Sequence, residues 1–261
     1  MAVKSVRRKK TLTSPWSNVQ VPLRIVPLHA APRAAATGTP ELSYRGGPLL
    51  SAVEVFTIFW GKGWQESANT DFMKQMNTFF DFVLTSKLMD QLTEYDAGGV
   101  KIGHGKRTGT VNLDASEPGA LVADSEIQTM LQAQISGGAL PAATNNSLYF
   151  VFLPPGSQVT QGGATSCKDF CGYHDATSDG IYYAVLPFPG CSGCEGELTT
   201  IEAMTSTSSH ELCEAITDPV PGEGWYDDSY GEIGDICAWK TKTLGGYTVQ
   251  LEWSNSAEAC V

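Results

Sequence analysis

Apolar residues form an almost unbroken run at residues 53–60, Val-Glu-Val-Phe-Thr-Ile-Phe-Trp. Such a run fits a central strand buried on both faces. Gly61-Lys62-Gly63 breaks it. Asn69 or Thr70 can then cap a long helix whose apolar positions Phe72, Met73, Met76, Phe79, Phe80, Val83 and Leu84 make one stripe. A second segment follows Ser86, with Leu88, Met89 and Leu92, up to Tyr95. Residues 100–113 alternate loosely around Gly-His-Gly and suggest two short strands. Asp124 or Ser125 begins a helix carrying Ile127, Met130, Leu131 and Ile135, closed by Gly137-Gly138. Residues 148–153 and 181–188 read as apolar strands, with a loop rich in glycine and cysteine between them. Residues 247–253 read as a last strand.

Between those two last strands, Ile201, Met204, Leu212, Ala215 and Ile216 recur at helical spacing, so one stripe of this helix is expected to be buried. Thr199 or Thr200 can cap its start. Asp218-Pro219 ends it, because the residue before proline leaves the α region. His210, Glu211 and Glu214 lie on this helix. Residues four apart share a face, so His210 and Glu214 point the same way. That is the spacing of the H-E-x-x-H zinc helix, with Glu214 in place of the second histidine. Carboxylates are zinc ligands too, and Glu211 takes the position of the general base. About twenty residues on, Glu232 and Asp235 compete for the role of third ligand. Three residues apart, they suit a ligand and its outer hydrogen-bond partner. His174 has two readings, a ligand or transition-state group and a hydrogen-bonded histidine orienting the cysteine loop. Tyr226 and Tyr230 are candidate oxyanion donors, or packing residues. Asp218 reads as the helix end, and His104 as a loop histidine.

The order strand, long helix, strands, helix, strand, strand, motif helix predicts an α/β (α+β) fold of zincin-like layout. This is a twisted mixed sheet with a backing helix and an active-site helix that follows an edge strand. The edge strand, residues 181–188, is expected to take extended peptide by strand addition.

Charge changes the picture at the N-terminus. Residues 1–46 hold eight Lys/Arg against one Glu, a net +7; since the whole chain is −11, the remainder is −18. The basic stretch, rich in Pro and Ala, predicts a disordered tail, with a single domain over 47–261. An acidic body argues against nucleic acid as a partner. No run of 18 apolar residues predicts a membrane span, and a monomer is expected. Arg7-Arg8-Lys9-Lys10 resembles the start of a signal peptide, but the apolar segment such a peptide needs does not follow.

Of the seven cysteines, Cys213 sits inside the motif helix as a small buried residue. Cys167, Cys171, Cys191, Cys194, Cys237 and Cys260 suit three disulfides and an oxidising compartment. The competing reading is a structural zinc site from the C-x3-C and C-x2-C pairs at 167/171 and 191/194. A disulfide between Cys237 and Cys260 would account for both of those residues.

Several separated blocks then resemble one family. Val55-Phe56-Thr57-Ile58-Phe59-Trp60-Gly61-Lys62, Phe150-Val151-Phe152-Leu153, Phe170-Cys171-Gly172-Tyr173-His174, His210-Glu211-Leu212-Cys213-Glu214-Ala215 and Glu232-Ile233-Gly234-Asp235-Ile236-Cys237 are similar to blocks of the phosphate-induced protein 1 (EXORDIUM-like) family. They occur in the same order over about residues 50–260. The resemblance implies a secreted, cell-wall-associated protein linked to growth, and leaves its chemistry open. The motif helix implies a zinc-dependent metallopeptidase acting on a peptide or protein substrate. Two alternatives stand beside it: a binding or signalling protein on the same scaffold without turnover, and a carbohydrate-binding wall module suggested by the surplus of Trp and Tyr.

Overall fold

A computed structural model describes residues 25–29 and 38–261. Its main elements, in chain order, are β1 (Ile25–Pro27), β2 (Glu54–Trp60), α1 (Ser67–Val83), β3 (Lys106–Leu113), α2 (Asp124–Ser136), β4 (Ser147–Leu153), β5 (Phe170–Ala176), β6 (Tyr182–Pro187), α3 (Thr200–Thr217), β7 (Thr241–Leu244) and β8 (Tyr247–Gln250). Six strands form a mixed, twisted sheet in the order β1-β5-β6-β4-β2-β3. From β6 to β3 neighbouring strands are parallel, while β1 and β5 run antiparallel to their neighbours.

The alternation of side chains along β4 explains the layers. Leu148, Phe150 and Phe152 enter one apolar cluster with α1 and α3; Tyr149, Val151 and Leu153 enter a second with α2. A strand covered on both faces reads as continuous apolar sequence, as β2 and β4 do. The aromatic surplus is spent here. Trp60, Trp64, Tyr149, Tyr173 and Phe150 are buried, and no aromatic among the described residues is fully exposed.

Several expectations are corrected. Residues 181–188 do not make an edge: β6 is paired on both sides, by β4 and β5. The strand before the motif helix is therefore interior, with no free backbone row for a peptide. The tail boundary at 46 also shifts. Ile25 and Val26 are fully buried in β1, which pairs with β5, and Ser43–Tyr44 pairs with Trp225–Tyr226. Burial of two apolar side chains and a strand ladder order this part of a basic stretch. Residues 1–24, including Arg7-Arg8-Lys9-Lys10, and 30–37 lie outside the described residues. Helix α1 starts at Ser67 after Glu66, earlier than Asn69 or Thr70. Residues 100–113 give one strand, β3, instead of two. The expected last strand stops at Gln250, as the second arm of a hairpin with β7.

Helix α3 departs most from expectation. Every residue from Ala203 to Thr217 is buried, including Thr205, Ser206, Thr207, Ser208, Ser209, His210, Glu211 and Glu214. Sheet, α1 and the β7–β8 hairpin surround it, so its polar face meets protein as well as its apolar stripe. Its start is held by a capping box: Thr199 N donates to Glu202 Oε2 at 2.9 Å, and Thr199 Oγ1 accepts from Glu202 N at 3.4 Å. Thr199→Ala is expected to lower stability by about 1 kcal/mol. Chemical denaturation should show a lower midpoint at unchanged slope; an unchanged midpoint would contradict the cap.

The cysteine question resolves to disulfides. Cys167 bonds Cys191, Cys171 bonds Cys194 and Cys237 bonds Cys260, leaving Cys213 free and buried. A structural zinc site on the first four is thereby replaced. Three disulfides point to an oxidising compartment. No helix among the described residues is long and apolar enough to cross a membrane.

Candidate metal centre

Three segments converge beneath the sheet's β5 end. Helix α3 supplies His210, Glu211 and Glu214, β5 supplies His174, and the loop after α3 supplies Glu232 and Asp235. His174 pairs in register with Ala184, whose side chain lies in the cluster facing α3, so the strand pleat aims His174 at the helix. Close approach depends on two glycines. A Cβ on Gly172 would lie 2.7 Å from Thr207 Cγ2, and one on Gly234 would lie 2.8 Å from His210 Nδ1 and 2.9 Å from Glu214 Oε1.

The contacts centre on Glu214. Its Oε1 lies 2.9 Å from His210 Nε2 and accepts from Asp235 N at 3.0 Å. Its Oε2 lies 3.5 Å from His174 Nδ1. His174 Nδ1 is also 3.0 Å from Glu211 Oε2, and His174 Nε2 is 3.2 Å from the carbonyl of Asp218 and 3.4 Å from Glu232 Oε1. Potential ligand atoms fall into two overlapping groups, each within 4.8 Å: His174, Glu211 and Glu214, and His210, Glu214 and Asp235. All of these residues are at most 1% exposed.

Such a cluster is electrostatically unfavourable alone. Burial pushes the carboxyls of Glu232 and Asp235 well above the ordinary range, and the Glu214 charge pushes both further. Burial also raises Glu211, against the hydrogen bond from His174. Burial by itself lowers an imidazole; Glu232 at His174 and Glu214 at His210 reverse this and hold both rings well above their usual value. Among the described residues, Glu211 Oε1, Glu214 Oε2, both oxygens of Glu232 and Asp235 Oδ1 make no hydrogen bond. Buried polar atoms without partners cost about 1–3 kcal/mol each, more when charged. A bound cation removes that cost by accepting them as ligands. The donor set of imidazole and carboxylate fits a divalent metal ion.

The hydrogen bonds around His210 refine this fit. Gln250 Nε2 lies 2.8 Å from His210 Nδ1 and donates to Gly234 O at 2.9 Å, while Trp239 N donates to Gln250 Oε1 at 3.1 Å. In this arrangement Nδ1 accepts, and the proton of the neutral ring lies on Nε2, toward Glu214. The neighbouring carboxylates favour a second ring proton, but the amide offers Nδ1 no acceptor for it; the hydrogen-bond pattern decides. As an Nε2 ligand, His210 needs its proton on Nδ1 and the Gln250 amide turned over. Two neutral hydrogen bonds, about 1 kcal/mol each, are lost. That is small beside the ~10 kcal/mol of a structural ion. As a ligand through Nδ1, His174 gives up the proton it shares with Glu211 Oε2, while its Nε2–H keeps the Asp218 carbonyl.

The other sequence candidates divide. Asp218 accepts from Gly222 N at 2.6 Å and Glu223 N at 3.1 Å, so it shapes the turn after α3; burial raises its pKa to about 6. Tyr226 is buried, its hydroxyl has no partner among the described residues, and the charges of Glu232 and Asp235 reach it. Tyr230 is not brought in, since its hydroxyl donates to Gly38 O at 2.5 Å. Sequence reasoning missed Gln250 and the fully buried Glu252, whose charge reaches His210. Both come from the hairpin packed on α3 and its exit, some 40 residues from His210 with no spacing signal. An open hollow lined by Pro48, Lys101, Asn146 and Tyr182 contains none of these groups. No family model matches the chain, and no curated protein matches it.

Proposed function

We propose that the chain is a metal-dependent hydrolase of peptide bonds, with zinc as the first candidate ion. The observation that carries this reading is the set of unpartnered buried donor atoms around Glu214. His210, Glu214 and Asp235 would hold the ion, which supplies Lewis acidity and lowers the pKa of a bound water. Glu211, beside the group and hydrogen-bonded to His174, takes the proton of the attacking water and passes it to the leaving amine. His174 orients Glu211, and Glu232 balances the His174 charge. The resemblance to the phosphate-induced protein 1 (EXORDIUM-like) family, a zincin-like layout, export and cell-wall association belong to the same proposal. The disulfides support an oxidising setting for it.

A second reading is favoured by one observation. The centre is closed to solvent, and β1 covers the outer edge of β5 from Phe170 to Tyr173. A binding or growth-signalling protein using the ion for structure accounts for that closure. A peptide-library digest separates the two. Zinc-loaded wild type is expected to cleave, and Glu211→Gln to lose about 10²–10⁴ in rate. No cleavage by metal-loaded wild type across a broad library would leave the binding protein in front.

A further inference from the structure

The ligand atoms do not surround one point. Glu214 stands between two groups and turns a different oxygen to each: Oε1 toward His210 Nε2 at 2.9 Å, Oε2 toward His174 Nδ1 at 3.5 Å. We propose that the centre holds a pair of divalent first-row metal ions bridged by Glu214. One lies among His210, Glu214 and Asp235, the other among His174, Glu211 and Glu214, while Glu232 faces the second nitrogen of His174. The proposal rests on the metal-centre reading above and adds a second ion to it.

Charge balance supports the pair. Glu211, Glu214, Glu232 and Asp235 are at most 1% exposed and together carry −4 when ionised. One divalent ion with neutral histidines leaves −2 in a volume that excludes water. Protonating both imidazoles without any ion also leaves −2. Two divalent ions offset these four carboxylates, while Glu252 is met by the charge of Lys242 and Asp218 by backbone N–H groups, and uncompensated buried charge is what proteins avoid. The unpartnered atoms divide in the same way. Asp235 Oδ1 belongs to one side; Glu211 Oε1 and Glu214 Oε2 belong to the other. A set of two imidazoles and four carboxylates suits manganese, iron, cobalt or zinc better than calcium or magnesium alone. Bridged pairs of this kind stand about 3.5–4 Å apart and clamp both oxygens of a hydrolytic displacement. With both ions bound Glu211 would be a ligand of the second ion and would give up the general-base role it has in the single-ion reading, which would pass to a water held by the pair.

The full chain, stripped with chelator and titrated with Mn²⁺, tests this. Elemental analysis should find two ions per chain, falling to one in His174→Ala and to one in His210→Ala. Glu211→Gln should weaken one ion and spare the other. Electron paramagnetic resonance of the loaded wild type should show an exchange-coupled pair instead of the six lines of isolated Mn²⁺, a readout that needs no variant to fold. One uncoupled ion, retained in His174→Ala, would overturn the pair while leaving the single-ion centre intact. No bound ion at all would overturn both.

Discussion

Glu214→Gln is expected to lower metal affinity at least about 10²-fold and to bring thermal stability down to that of chelator-treated wild type. The first figure follows from removing the charge of a ligand shared by both groups; the second from linkage, where an ion at about 1,000 times its Kd contributes about 4 kcal/mol. Glutamine keeps the size of the side chain and can still accept from Asp235 N, so packing changes little. The sign of the effect makes this informative. Without an ion, Glu214→Gln would remove repulsion with Glu211, Glu232 and Asp235 and attraction to His210 and His174 together, leaving stability little changed by chelator. A variant more stable than wild type in metal-containing buffer would contradict the metal centre. Thermal melts with and without chelator read the difference directly.

Loss of the Cys237–Cys260 disulfide is the second large effect expected. The bond spans a sequence separation of 23 and ties the turn Asp235–Cys237 to the C-terminal pair of short strands. Cross-linking a loop of that size stabilises by about 3 kcal/mol through the unfolded chain. The bond also acts on the centre, because Asp235 is two residues from Cys237 and its backbone N–H holds Glu214. Further ties to the same turn are Trp253 N to Ile233 O at 3.1 Å and Gln250 Nε2 to Gly234 O at 2.9 Å. Replacing both cysteines with alanine should therefore lower unfolding stability by about 3 kcal/mol and weaken metal binding together. Denaturant unfolding without reductant, paired with metal titration, checks both. Unchanged affinity beside lowered stability would detach the disulfide from the centre.

What could be read from sequence depended on how strongly each segment's own pattern spoke. Strands β2 and β4 are apolar on both faces, and α1 has a clean stripe, so both kinds of element stood out. The motif helix and its end at Asp218-Pro219 were legible from spacing and from proline. Strand β5 was not, because Cys171, Gly172, His174 and Asp175 serve a disulfide, a close helix approach and the centre instead of an apolar face. Strand β1 has three residues and is defined by its partner. The full burial of α3 was hidden for a related reason: its serines, threonines and glutamates look like a wet face, and only the surrounding elements keep water out. Within the centre, His210, Glu211 and Glu214 were legible because they share one helix. The pairing of His174 with Glu211 and the contact of Gln250 with His210 join residues 37 and 40 positions apart, which no local pattern records.

Metal content distinguishes a metal centre from a bare buried cluster most directly. Elemental analysis of the chain, purified without added metal or chelator, should find at least one divalent transition ion per chain. Protein free of any stoichiometric ion, folded and with its three disulfides formed, would contradict it.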